Sequence, residues 1–197
     1  MGSTQVFQPL TKEDTITVVL YRAGIVLSAV LISGLAYLLA TASPQSGGRV
    51  ADILGFGLYA AVGVSVFFIH LYIGKFKTFL KNLFFAGLAG LAGLLFIGKG
   101  SLSLALMQEP SSALLLLPLA GCLGFVTAKE AFCFKLFEGY LLAMLMPFYL
   151  LLIAVNSLSG RGASLGLALI AVMLVVFTLR KVTMPLAYDI GDKSAYQ

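Results

Sequence analysis

Charge is scarce in this chain. Only 11% of its 197 residues are Asp, Glu, Lys or Arg, whereas soluble domains carry about 25%. With 60% hydrophobic residues and a mean hydropathy of +1.02, this excludes an ordinary soluble globule and a disordered chain. Histidine occurs once, which excludes a bis-histidine haem and any site needing two histidines from one chain. There are two cysteines, Cys122 and Cys133. Two are too few for a disulfide-stapled secreted domain, and their expected places, inside a span and at its edge, argue against a bridge. Catalytic signatures are also missing. There is no Gly-x-Ser-x-Gly, no His-Glu-x-x-His and no phosphate-cradling Gly-x-x-x-x-Gly-Lys-Ser/Thr. The chain is therefore read as a non-enzyme, with no cofactor and no metal expected.

Long apolar runs are what the sequence has. A membrane span takes about 20 residues, and six such runs fit, at 23–42, 53–73, 82–98, 112–128, 139–156 and 163–179. Uninterrupted stretches such as 114–117 and 150–153 lack the alternation of a barrel strand. In lipid the remaining way to satisfy the backbone is the α-helix. The expected fold is all-α: a polytopic bundle of six spans in three hairpins. An arm at 1–22 precedes one bundle at 23–179, and a short polar tail at 180–197 follows. The first 22 residues lack a basic region, apolar core and small-residue cleavage site in succession, so the first span is expected to act as its own insertion signal. Thr11-Lys12-Glu13-Asp14 suits the opening of an interfacial helix.

Net charge is +5, but the basic residues are scattered, with no basic helix or aromatic platform for nucleic acid. Sorted by the expected spans, ten lie on one side: Lys12, Arg22, Lys75, Lys77, Lys81, Lys129, Lys135, Arg180, Lys181 and Lys193. The other side has three, Arg49, Lys99 and Arg161. By the positive-inside rule both termini face the cytoplasm or its equivalent. Arg22 and Lys181 are expected to snorkel to lipid headgroups. The tail, with Asp189 and Asp192, is expected to be either disordered or a docking strip.

Small residues at helical spacing let spans pack closely. Gly24 and Ser28, Gly57 and Ala61, the period of three at Gly87, Gly90 and Gly93, and Gly162 with Gly166 form such stripes. A homodimer through the third span's stripe stays open. Pro118 and Pro147 fall near the middle of the fourth and fifth spans and are expected to kink them. Segments 79–84 and 133–137 echo one another, a weak hint of an internal repeat.

The densest chemistry lies in the fourth loop. On one continuous helix, Glu130 and Glu138 would share a face, and Lys129 and Cys133 an adjoining one. Two carboxylates near a low-dielectric boundary could exchange protons, or Glu130 could pair with Lys129, Lys135 or a loop lysine and hold the turn. His70, near the end of the second span, joins this candidate cluster either as a ligand or proton carrier, or as a hydrogen-bonded packing residue.

Three stretches carry a family resemblance: Tyr21-Arg22-Ala23-Gly24-Ile25, Lys129-Glu130-Ala131-Phe132-Cys133-Phe134, and Arg180-Lys181. Together the chain resembles, over nearly its whole length, an uncharacterised family of small integral membrane proteins of cyanobacteria and plastids. The resemblance implies a multi-pass protein of a thylakoid or plasma membrane and no particular activity. From the short loops, the packing stripes, the missing catalytic motif and the charged fourth loop, the expected function is a scaffold or assembly factor that binds other membrane proteins through the fourth loop and tail. The alternative is a small transporter or channel for an ion, proton or neutral solute. Against an ion, no span interior carries a clear acidic residue. A third reading is a membrane enzyme using Cys133, which would need a depressed thiol pKa.

Overall fold

A computed structural model of the protein describes residues 11–41, 44–71 and 73–190. The residues at 1–10 and the tail beyond Ile190, with Asp192 and Lys193, lie outside the described residues.

All regular structure among the described residues is helical. In chain order come α1 (Lys12–Thr41), α2 (Pro44–Phe68), α3 (Gly74–Ile97), α4 (Leu102–Gln108), a 3-10 helix (Pro110–Leu116), α5 (Leu117–Phe134), α6 (Phe137–Ala154), α7 (Gly160–Val182) and α8 (Ala187–Ile190). Six segments are long and apolar enough to cross a membrane, the 3-10 helix and α5 together forming the fourth. The expected all-α, six-span bundle is what the chain forms.

The boundaries differ from the sequence reading in instructive ways. α1 begins at Lys12 rather than near Ala23. A reciprocal cap starts it: Thr11 Oγ1 accepts from Asp14 N at 3.2 Å, and Asp14 Oδ2 accepts from Thr11 N at 2.9 Å. This capping box turns the second half of the expected arm into a first helical stretch. α2 begins at Pro44, inside the expected loop, because proline is tolerated in a helix's first turn. The loop after α3 is itself structured, holding α4 and the 3-10 helix. Ser101 caps α4 by accepting from Leu104 N at 3.1 Å.

Pro118 does not kink a regular α-helix. It stands in the first turn of α5, where the 3-10 helix gives way to α, and its missing N–H leaves no α-helical bond unmade there. Pro147 does lie inside α6. The echo at 79–84 and 133–137 has no structural counterpart. The first copy is continuous helix within α3, whereas the second spans the break between α5 and α6.

The small-residue stripes are packing surfaces within the chain. A Cβ on Gly24 would collide with Ser65 Oγ and stand 2.6 Å from the Ala61 carbonyl oxygen. The α1–α2 pair therefore closes on bare backbone. Gly87 faces Pro118 and Leu119, and Gly90 and Gly93 face Leu115. The glycines of the third span's stripe thus face the chain's own fourth span.

Along α1 the buried residues Tyr21, Ile25, Ser28, Ile32 and Ala36 recur every three or four positions, one face of a helix. They meet Val62, Val66, Leu123, Val126, Leu142, Leu174 and Phe177 in one apolar core. The beginnings of α1, α3 and α6 and the ends of α2, α5 and α7 gather at one end of the bundle. α8 joins them there, whereas α4 and the 3-10 helix lie at the other end.

Candidate functional site

The first of these ends holds a buried lattice of charge. Glu130, in the last turns of α5, is fully buried. Its Oε1 accepts from the Tyr21 hydroxyl at 2.6 Å and from Lys129 Nζ at 2.6 Å. Its Oε2 meets Lys181 Nζ, from the last turn of α7. Lys181, also fully buried, bonds Asp189 Oδ1 as well. Asp189 in turn receives Arg22: Nε lies 2.6 Å and Nη2 2.5 Å from Oδ2. Arg22 spends its other donors on the carbonyls of Val182, Met184 and Pro185, at 3.3, 2.6 and 3.0 Å.

Local sequence explains how the parts arrive. α7 ends with Arg180 and Lys181, where cations suit the helix C-terminus. After the turn at 183–186, α8 turns back and carries Asp189 under α1. The Lys181 ammonium sits 4.0 Å from the centre of the Phe134 ring, and Phe134 stacks on Tyr188. Lys129 lies 5.4 Å from the Tyr21 ring centre. These aromatic faces add cation attraction where water is excluded.

Three of the five charged members differ in role from their sequence reading. Arg22 and Lys181 do not snorkel; they are buried at 6% and 0% exposure. Asp189 is neither disordered nor an open docking residue, for it is 5% exposed and closes the lattice. Glu130 does pair with Lys129, as one reading had it, and takes Lys181 as its second partner. Glu130 and Glu138 do not share a helix. Lys135 adopts φ +56°, a left-handed cap that ends α5, and Glu138 opens α6. Glu138 pairs instead with Arg180, 2.7 Å away and half exposed, a contact of the class that contributes about 0–1 kcal/mol.

The other candidates stand apart from the lattice. His70 follows the end of α2, and its Nε2 lies 3.2 Å from Thr17 Oγ1. Burial holds its pKa below the ordinary 6.5, and nearby Lys129 adds to that effect. It is a neutral, hydrogen-bonded imidazole at neutral pH. Cys133 is exposed, Cys122 is buried, and both are free thiols. Among the described residues, no three His, Cys, Asp or Glu side chains gather to hold a metal.

Sequence reasoning missed Tyr21, Arg22, Lys181 and Asp189 as partners. One signal was present. Arg22 follows Val18-Val19-Leu20 and precedes Ile25-Val26-Leu27, so a charge stands within an apolar run, where it calls for a named partner.

At the opposite end the bundle is hollow. A cavity of about 660 Å³ lies among α1 to α7 and the 3-10 helix, within the roughly 300–1,000 Å³ of small-molecule sites. Leu58, Val62, Leu123, Met146, Leu167 and Ile170 are among its walls, and none of its lining residues carries a formal charge. Tyr59 and Tyr149 supply the aromatic surface. Tyr149 donates to the Ala163 carbonyl at 3.0 Å, while the buried Tyr59 hydroxyl has no partner among the described residues.

Comparison with known proteins agrees with this architecture. A family model described as "Uncharacterized integral membrane protein (DUF2301)" matches residues 64–197. An uncharacterized protein of Haemophilus influenzae is 30% identical over 199 residues, spanning all of this chain and 99% of its own length. No solved structure matches. The chain belongs to this family of integral membrane proteins.

Proposed function

We propose that this member of the uncharacterised integral membrane protein family is a non-enzymatic protein that takes a hydrophobic molecule into its bundle, in the manner of a small carrier. The cavity supports this reading. Its walls are Leu, Ile, Val, Ala, Gly and Met with two tyrosines and a serine at 103. An ion stripped of water would find no counter-charge there, so the ion and proton versions of transport lose support. The lattice fills the far end of the bundle. With both termini on the cytoplasmic side, as the basic-residue count has it, the cavity lies in the half away from the cytoplasm.

The test is direct. Protein purified in mild detergent is extracted with organic solvent, and the extract is compared with that of an Ala120→Phe variant, which places a ring in the cavity wall. The reading expects a hydrophobic compound in near-stoichiometric amount from the wild type and its loss from the variant. Equal amounts from both would overturn it.

Binding to other membrane proteins is the second reading. It is favoured by Phe132 and Phe137, which are 80% and 68% exposed on either side of the fourth turn. Its charges are less available than the sequence suggested, since Glu130 is committed inside. If Phe132→Ser with Phe137→Ser leaves every co-purifying protein in place, that surface is wrong.

A further inference from the structure

Three charged residues stand next to the cavity lining in sequence: Arg49, Arg161 and Asp52, the last following Ala51. Arg49 follows Gly48, and Arg161 follows Gly160; both glycines line the cavity. Both arginines are exposed, and neither has a hydrogen bond or ion pair among the described residues. The polar groups at this end are otherwise engaged with one another. Asp52 Oδ1 accepts from Ser103 N at 2.7 Å, and Ser103 Oγ donates to the Gly48 carbonyl at 3.2 Å. The site therefore offers an uncharged hollow flanked by two exposed guanidinium groups without ion-pair partners, while the Asp52 carboxylate is engaged through one oxygen.

We propose that the ligand is a single-chain anionic amphiphile: its hydrocarbon chain fills the cavity, and its carboxylate or phosphate head rests between Arg49 and Arg161. This rests on the reading that the cavity holds a hydrophobic molecule, and it adds the head. The chemistry fits on both sides. A hydrocarbon chain gains from burial against leucine and valine. A carboxylate or phosphate is the group that guanidinium donors grip best. Keeping the head at the mouth avoids burying its charge. Arg49 and Arg161 are also two of the three basic residues on a side that is otherwise poor in them, so their placement beside the cavity is not part of a general basic surface.

The chain has no tryptophan, which makes a clean reporter available. Leu167→Trp places the sole indole in the cavity wall. In detergent-purified full-length protein, a fatty acid brominated along its chain quenches that indole when the chain enters. An alkyl phosphate of equal length competes through its head, and the corresponding fatty alcohol tests a neutral head. The proposal expects saturable quenching, displaced by the alkyl phosphate and only weakly by the alcohol. It expects about tenfold weaker binding in Arg49→Gln with Arg161→Gln, and loss of quenching when Ala120→Phe is added. Ala51→Phe, nearer the mouth, replaces Ala120→Phe should that variant fail to fold. If the arginine variants bind normally, or the alcohol competes as well as the acid, the anionic head is wrong and the hydrophobic cavity stands. If quenching is unsaturable or survives both phenylalanines, the cavity reading fails with it.

Discussion

Replacing Asp189 with asparagine tests the buried lattice most sharply, because of its charge count. Two carboxylates, Glu130 and Asp189, serve three cations, Arg22, Lys129 and Lys181. In Asp189→Asn, Glu130 alone answers both lysines, and Arg22 is left with backbone carbonyls. A buried charge without its counter-ion costs about 3–5 kcal/mol. In Lys181→Met the outcome differs. Arg22 keeps Asp189, Lys129 keeps Glu130, and methionine occupies much of the vacated space. Only hydrogen bonds to charged groups are lost, about 1.5–3 kcal/mol. The expected order is therefore Asp189→Asn well below Lys181→Met in stability. The double variant should be milder than the sum by about 1–3 kcal/mol, since the two residues share one bond. Buried Cys122 provides the assay. With Cys133 changed to serine, the labelling of Cys122 along a titration with SDS in mixed micelles reports unfolding. An equal or greater loss from Lys181→Met, or strict additivity in the double variant, would refute the argument that charge balance governs this end of the bundle.

Three further outcomes are expected. Gly24→Val should destabilise the protein by at least about 1–3 kcal/mol, read by the same Cys122 assay, because α1 and α2 have no room for a side chain at that crossing. His70 should contribute an acid-side loss of stability. Its folded-state pKa lies below 6.5, so as pH falls below 6.5 the unfolded chain takes up the proton first, and stability declines through that window and is complete above it. Burial, Lys129 and Lys77 push in this direction, against Asp189 and Asp14; His70→Gln should flatten the slope below pH 6.5, measured by midpoint against pH. In oriented vesicles, a membrane-impermeant maleimide should label Cys133 from the cytoplasmic side and leave Cys122 untouched. Labelling from the opposite side would reverse the proposed orientation.

The lattice also bears on what the tail does. α8 is a four-residue helix, too short to be stable alone. Its place depends on Asp189 entering a site built by α1 and α7. The same contacts join the chain's first and last described helices beside the end of α5. In a membrane protein, charges so far from water mark a functional or conformationally critical point. Here they close the end of the bundle opposite the cavity.

Much of this was legible in the one-dimensional pattern, because lipid leaves the backbone few choices. Apolar runs of span length must be helices, their number follows by counting, and Gly24 with Ser28 and Gly57 with Ala61 could be read as packing stripes from residue size alone. Even the Thr11–Asp14 cap was visible, as it depends on neighbours three residues apart. What the tertiary structure alone decided are contacts between residues far apart in the chain. Tyr21 and Glu130 are separated by 109 positions, and Arg22 and Asp189 by 167; no local periodicity encodes such pairs. Snorkelling and burial use the same lysine or arginine at the same helix end, and only the arrival of a distant carboxylate selects between them. Lys135 likewise reads as one more helical residue until its left-handed turn separates Glu130 from Glu138. The cavity is a property of packing: most wall residues are ordinary apolar side chains, and the hollow exists because the helices around it fail to meet there.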